Sequence, residues 1–227
     1  MRWIVPRGRR PMLTRESIVT AAVTVAARAQ PEGLTGANVG EELGVDRSTL
    51  WRYFVNHQEL LLAVGDRLLQ TAVNRVAAGL SPQERVRTLA LHLVDVFVAH
   101  PYIATNASCI TRGPGEFAVI ELILGSLEET GLRGEAVARH QRMLTDALLA
   151  YAGMRAAYAI LPARVRIFEE RSWPGVRVAI SPRRFPRIAS NLPALDTDDH
   201  EQVFTTLLDA LWASVSAATT LEPSGQR

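Results

Sequence analysis

Apolar residues recur three and four positions apart along most of this chain, the spacing that places side chains on one face of a helix. They come in blocks separated by Gly, Pro and Ser. Ile18, Ala22, Val25 and Ala29 form the first stripe, in a helix capped by Thr14 and running to about Gln30, where Pro31 and Gly33 stop it. Two much shorter blocks follow, Val39 with Leu43 and Leu50 with Phe54. From His57 a long stripe of Leu61, Val64, Leu68, Ala72 and Val76 runs to about Ala78, and Gly79, Ser81 and Pro82 break it. Ser81 caps the next helix, which reaches His100 with Val86, Leu89, Leu93, Val96 and Phe97 apolar. Pro101 starts a short helix toward Thr111. Glu116 to Thr130 is again helical, with Phe117, Ile120, Leu124 and Leu127 as its stripe, and Gly131 ends it. Gly134 to Ile160 is the longest helix of this half, and His200 to Thr219 is the last, with Val203, Leu207, Leu208, Leu211, Trp212 and Val215 apolar. The fold predicted is all-α.

One stretch breaks the pattern. Leu161 to Asp199 contains five Pro (Pro162, Pro174, Pro182, Pro186 and Pro193), and seven Arg lie between Arg164 and Arg187. A long segment without a period is usually functional or disordered. Three roles are open to it: covering a ligand entrance, meeting a polyanion, or remaining unstructured.

The chemistry concentrates in the two short blocks between Leu34 and Leu62. Thr35 is placed to cap the first, and Gly44 follows Leu43 where a helix commonly ends at positive φ. Asp46 caps the second. With Leu50 and Phe54 inward, Arg47, Ser48, Trp51 and Arg52 point outward, and Tyr53 lies at the flank. A Trp between two Arg is an odd face to offer to water. It suits a DNA groove, because Arg bonds guanine bidentately, Ser and Thr bond several base edges, and an indole packs on thymine methyl or sugar. Spacing alone leaves a small helical subdomain with solvated Arg as the alternative.

Gly-Val-Asp-Arg-Ser-Thr-Leu-Trp-Arg-Tyr-Phe-Val-Asn-His-Gln-Glu-Leu-Leu resembles the recognition helix and following junction of the TetR family of bacterial repressors, whose pattern is roughly Leu-Gly-Val-Ser-x-x-Thr-Leu-Tyr-x-His-Phe-x-Asn-Lys-x-x-Leu. The resemblance covers about the first quarter of the chain. It implies a three-helix DNA-binding domain in residues 1–57, joined by a shared helix to a larger helical ligand-binding and dimerisation domain in residues 58–227. DNA contacts then fall to Thr35, Arg47, Ser48, Thr49, Trp51, Arg52, Tyr53 and His57. The resemblance also implies that the last helix and the longest earlier one pack against their copies, at Val203–Val215 and Met143–Tyr158.

Three departures from the family pattern stand out. Trp51 replaces the usual Tyr and lacks a phenol. His57 replaces the usual Lys, which makes a phosphate contact there weaker or pH-dependent. The first short helix carries Gly36 and Gly40, the latter where the family prefers Ala. An interior helix Gly costs roughly 0.5–1 kcal/mol relative to Ala, so these glycines predict a looser motif.

Charge adds to this picture. The formal net charge is only +2, but residues 1–57 hold eight Arg against five acids, while residues 58–227 hold seventeen against eighteen. The basic excess sits with the DNA-reading motif, as an electrostatic footprint should. There is no Lys, so phosphate contacts fall to guanidiniums, hydroxyls and amides. The acid-free start of the chain, with Arg7, Arg9 and Arg10, is either an arm for the minor groove or an unstructured tail.

The single Cys109 excludes an intramolecular disulfide and fits a reducing cytosol. No signal peptide is evident, and no apolar run reaches the ~18 residues of a membrane span. The expected location is the bacterial cytoplasm, at the nucleoid. The five His have no metal-ligand spacing, and neither a phosphate-cradling glycine loop nor a nucleophile elbow occurs. No enzyme activity, cofactor or metal is expected.

The larger half should instead enclose a mostly apolar cavity, for which Phe97, His100, Tyr102, Asn106, Phe117, Ile120, Tyr151 and Trp173 are the candidates. His100-Pro101 resembles a His-Pro pair of a tetracycline-repressor-like subgroup, although a His at a helix end also simply suits the dipole. The expected function is that of a homodimeric repressor, released from a palindromic double-stranded operator by a small, largely apolar inducer. A ligand-independent regulator, or a helical dimer acting through protein contacts with a weakened DNA motif, is the alternative.

Overall fold

The computed structural model describes residues 13–28, 33–106, 112–168, 180–195 and 200–221. Helices and no strands occur among the described residues. They are α1 Arg15–Ala27, α2 Gly36–Leu43, α3 Arg47–Leu50, α4 His57–Asn74, α5 Pro82–Ala99, α6 Pro101–Asn106, α7 Pro114–Glu129, α8 Gly134–Ala159, α9 Pro186–Leu195 and α10 His200–Leu221.

The helix starts follow from local chemistry. The Thr14 hydroxyl accepts the Ser17 amide while Ser17 accepts from the Thr14 amide, which satisfies two donors that the first turn of α1 leaves unpaired. Ser81 and Glu84 make the same reciprocal pair ahead of α5. Asn56 accepts the Glu59 amide at 2.8 Å and starts α4. That helix ends at Asn74, earlier than its stripe suggests, because the Val76 amide turns back to the Val73 carbonyl.

α4 packs along α7 and α5 along α8, with α6 wedged among α1, α4, α5 and α8, and α10 lying on α8 and α5. A single buried cluster runs from Ile18 in α1 through Leu34, Leu50, Phe54 and α4 to Leu144, Leu148 and Trp212. No helix among the described residues is long and apolar enough to cross a membrane.

The seam between α4 and α7 is unusually close. A Cβ built on Gly115 would lie 2.0 Å from the Asp66 backbone oxygen, and one on Gly113 would lie 2.4 Å from the Asp66 carboxylate. Only a hydrogen at these positions lets the helices meet. The Asp66 carboxylate accepts the Gly115 amide at 3.0 and 3.1 Å and the Glu116 amide at 3.1 Å. A side chain of α4 thus caps the positive end of α7.

This seam corrects the stripe expected for α7. The buried face is Gly115, Val119, Ile123, Ser126 and Leu127, and Phe117 is 58% exposed. Because α7 is apolar around most of its circumference, period alone could not orient it, and the glycine notch does.

The last helix divides similarly. Phe204, Leu208, Trp212 and Val215 face the core, whereas Val203 is 64% exposed and Leu207 is also exposed. Tyr151 stacks on Phe204 with ring centroids 3.9 Å apart, and its hydroxyl donates to the His200 carbonyl at 2.6 Å. Arg87 of α5 pairs with Asp209 of α10.

The segment expected to lack a period also needs correcting. Residues 163–168 are helical, and α9 forms with Pro193 inside it and no buried residue. Pro186 sits at the first helical position, where its fixed φ assists the helix and its missing N–H costs nothing.

The notch predicts opposite outcomes for two glycines of one helix. Gly115→Ala should lower the free energy of urea unfolding by about 1–3 kcal/mol, since it forces backbone against backbone. Gly125→Ala faces open space and should be neutral or stabilise by up to about 1 kcal/mol.

Candidate nucleic-acid interface

α2, the turn after it and α3 form one small unit. Thr35 accepts the Asn38 amide at 3.1 Å and caps α2. Gly44 closes that helix in the left-handed region, at φ +65°, while the Val45 amide returns to the Gly40 carbonyl at 2.9 Å. Asp46 accepts the Ser48 amide at 2.7 Å and caps α3. Bonding to Ser48 holds the Asp46 carboxyl below its ordinary range, so it stays charged at the helix start.

α3 is only four residues long, Arg47–Leu50. The chain keeps curling beyond it, because the Tyr53 and Phe54 amides both reach the Leu50 carbonyl, at 3.0 and 3.2 Å. Leu50 and Phe54 are buried, and Arg47, Ser48, Trp51 and Arg52 are exposed, as the spacing predicts. Thr49 and Tyr53 are half-buried. Thr35, Gly36, Ala37, Arg47, Ser48 and Trp51 line one open groove of about 400 Å³. Amides of the first turn of α2 are therefore brought beside a guanidinium, a hydroxyl and an indole edge.

The two glycines have a packing role that helix propensity does not count: they are spacers. A Cβ on Gly40 would lie 2.8 Å from the Val45 carbonyl oxygen and 3.3 Å from the Arg47 amide. One on Gly36 would lie 2.7 Å from the six-membered ring of Trp51. α3 can approach α2 this closely only because both side chains are absent.

Behind the exposed face sits a brace that the sequence reading missed. The Arg15 guanidinium lies 4.2 Å from the Phe54 ring centroid, donates to the Tyr53 carbonyl at 2.8 Å and pairs with Glu59 at 2.8 Å. Glu59 also accepts the Val55 amide at 2.6 Å. That bond, and next the bond from Arg15, hold the Glu59 carboxyl below its ordinary range. The Tyr53 hydroxyl donates to the Leu13 carbonyl at 2.9 Å. α1, the end of the reading turn and the start of α4 are thereby fixed to one another. The sequence signal for this brace was an Arg one residue after the α1 cap and a Glu at the third position of α4.

Two expected DNA contacts have inward duties. The Tyr53 phenol is occupied with Leu13. His57 Nε2 lies 2.6 Å from the Leu34 carbonyl oxygen and so carries the proton and donates there, which leaves Nδ1 for any outward contact. Arg7, Arg9 and Arg10 lie outside the described residues.

The ligand candidates are dispersed. Phe97 is buried in α5 and Ile120 half-buried in α7. His100 Nδ1 faces the Val96 carbonyl at 2.8 Å, and Tyr102 packs its ring on Gly33. Phe117 is exposed, which places it away from an enclosed site, and Tyr151 is stacked on Phe204. Trp173 and the side chain of Asn106 lie outside the described residues.

No protein-family model matches the chain. The HTH-type transcriptional repressor DrrR1 of Streptomyces coeruleorubidus is 30% identical over 128 residues, which are 56% of this chain and 47% of that protein. The chain thus spans about half the length of this curated relative. SCO7222, a TetR from Streptomyces coelicolor, superposes with a TM-score of 0.75 at 25% identity, over 92% of this chain and 100% of that one. The fold is that of the TetR regulators. ActR of Streptomyces coelicolor, solved in complex with actinorhodin, shares the fold at a TM-score of 0.73 and 20% identity, over 91% of this chain and 97% of that one.

Gly40→Ala separates the spacer role from helix propensity. Propensity alone predicts a gain of up to about 1 kcal/mol, whereas the 2.8 Å approach to the Val45 oxygen predicts a loss of about 1–3 kcal/mol. Thermal unfolding of the variant decides between the two signs.

Proposed function

We propose that this protein is a homodimeric transcriptional regulator of the TetR family, acting as a repressor, that reads DNA with the α2–α3 unit and releases it on binding a small, largely apolar molecule. The observation that carries this reading is the groove of Thr35, Gly36, Ala37, Arg47, Ser48 and Trp51, with Arg52 exposed beside it. Guanidiniums, hydroxyls and backbone amides are the groups that hold phosphates and read base edges. Arg47 and Arg52 take guanine edges, Ser48 and Thr49 take polar edges, and Trp51 covers a sugar or thymine methyl. Thr35 and the first amides of α2 face a phosphate, the setting in which a helix start binds anions. His57 contributes through Nδ1, and Tyr53 acts chiefly as part of the brace. Arg7, Arg9 and Arg10 add positive charge for the DNA backbone or minor groove.

Residues 1–57 constitute the DNA-reading part and 58–227 the part that binds ligand and pairs with a second copy. Pairing is supported by apolar side chains that α8 and α10 leave outside the core: Met143, Met154, Val203 and Leu207 are all exposed. Two reading units related by a two-fold axis meet successive major grooves, about 34–36 Å apart, and so require a near-palindromic site.

Ligand response is supported by the likeness to ActR, whose structure holds actinorhodin. Phe97, His100 and Ile120 are the side chains assigned to the inducer site of the larger domain in this reading. An inducer acts by favouring a protomer spacing that no longer fits both half-sites. Repression is supported by the name of the relative from Streptomyces coeruleorubidus. The protein acts where its operator is, at the nucleoid in the cytoplasm.

Selection from a random duplex pool should recover a near-palindrome, and recovery of no common sequence at moderate salt would refute the reading. On the recovered duplex, Arg47→Ala and Arg52→Ala should each cost roughly 1–3 kcal/mol of discrimination against a changed base, as measured by competition binding.

A further inference from the structure

Gly33, Leu34 and Thr35 are three consecutive residues, each held by a different helix. Gly33 is buried with φ +62°, and a Cβ built on it would lie 2.3, 2.4 and 2.6 Å from Cδ2, Cε2 and Cγ of Tyr102. The aromatic ring of α6 therefore occupies the space a side chain at residue 33 would take. Leu34 is fully buried and its carbonyl receives His57 Nε2, the first residue of α4, at 2.6 Å. Thr35 caps α2 and lines the groove offered to DNA.

Gly33 has the widest backbone freedom of any residue type, and it immediately precedes the segment that aims α2. The Tyr102 ring seated on it removes that freedom. α6 also packs on α5 and α8, so the ring is a direct contact between the larger domain and the start of the reading unit, separate from the shared helix α4. We infer that Tyr102 is a positioning residue for DNA reading, setting Leu34 and Thr35 and, through them, α2. This assigns it a role other than lining an inducer site, and it rests on the DNA-reading function proposed above.

Removing the ring lets the reading unit sample arrangements that do not fit a groove, and apparent affinity falls in proportion to the competent fraction that remains. A residue that only contacted inducer would leave DNA binding without inducer unchanged.

The test compares the wild type with Tyr102→Phe and Tyr102→Ala, using full-length protein without inducer. Binding to the duplex selected by the wild type is measured together with deuterium exchange of peptides covering residues 33–39 and, as an internal reference, residues 144–152 of α8. Tyr102→Phe keeps the ring and should match the wild type in both readouts. Tyr102→Ala should bind about tenfold more weakly, the loss expected when one molecule in ten is competent. It should exchange faster at 33–39 with the α8 reference unchanged. If Tyr102→Ala does not fold, Tyr102→Leu, which keeps apolar bulk without a planar ring, replaces it with the same expectations. Wild-type affinity and unchanged exchange in the ring-less variant would overturn the inference. Failure of the wild type to select any duplex would refute DNA reading separately, and exchange at 33–39 would still decide whether Tyr102 positions the segment.

Discussion

The arrangement of the reading face depends on one guanidinium. Arg15 sits one residue into α1, covers the Phe54 ring at 4.2 Å, bonds the Tyr53 carbonyl and pairs with Glu59 at the start of α4. α3 is a single helical turn, and a turn that short has no stability of its own. Its geometry comes from what lies behind it: the Asp46 cap, Leu50 and Phe54 in the core, and this cation joining α1, the turn after α3 and the start of α4. An exposed ion pair alone would contribute little. Arg15 does more because its charge, its planar face and its donors are used together, a combination Lys does not offer.

Glycine is the second constraint, and it acts as absent volume. Gly40 lets the Val45 carbonyl approach α2, Gly36 admits the indole of Trp51, Gly33 seats Tyr102, and Gly115 brings α7 onto the backbone of α4. Contacts this close leave little slack between the elements they join. Asp66 reinforces one of these seams by capping α7 from α4. The proposed inducer response thus has a route along α4 and another through α6, which meets both Gly33 and α1.

What was legible in the sequence was local chemistry. Thr14, Thr35, Asp46 and Ser81 cap the helices they were expected to cap, and Gly44 ends α2 at positive φ. The inward pair Leu50 and Phe54, and the outward Arg47, Ser48, Trp51 and Arg52, follow from period alone. What was not legible depended on distant partners. Gly36 and Gly40 looked like weak points because propensity counts the helix and not its neighbour. Phe117 looked buried because α7 is apolar all round and only the notch at Gly115 orients it. The prolines between Leu161 and Asp199 read as breaks, yet Pro186 starts α9. Arg15 and Glu59 are 44 positions apart in the chain, and nothing in a one-dimensional pattern marks them as a pair.

In the proposed function, DNA sequence is read by a unit whose geometry is set within the protein, with Arg15 as brace and not as a phosphate contact. Arg15→Lys separates the two roles, since Lys keeps the charge a phosphate would need but cannot stack and bond as the guanidinium does. The decisive measurement is the ratio of affinities for the selected duplex and a scrambled one, for the wild type and Arg15→Lys at one salt concentration. The brace predicts a ratio lowered by about three- to tenfold, the worth of a lost stacked and bonded cation. An unchanged ratio would contradict it.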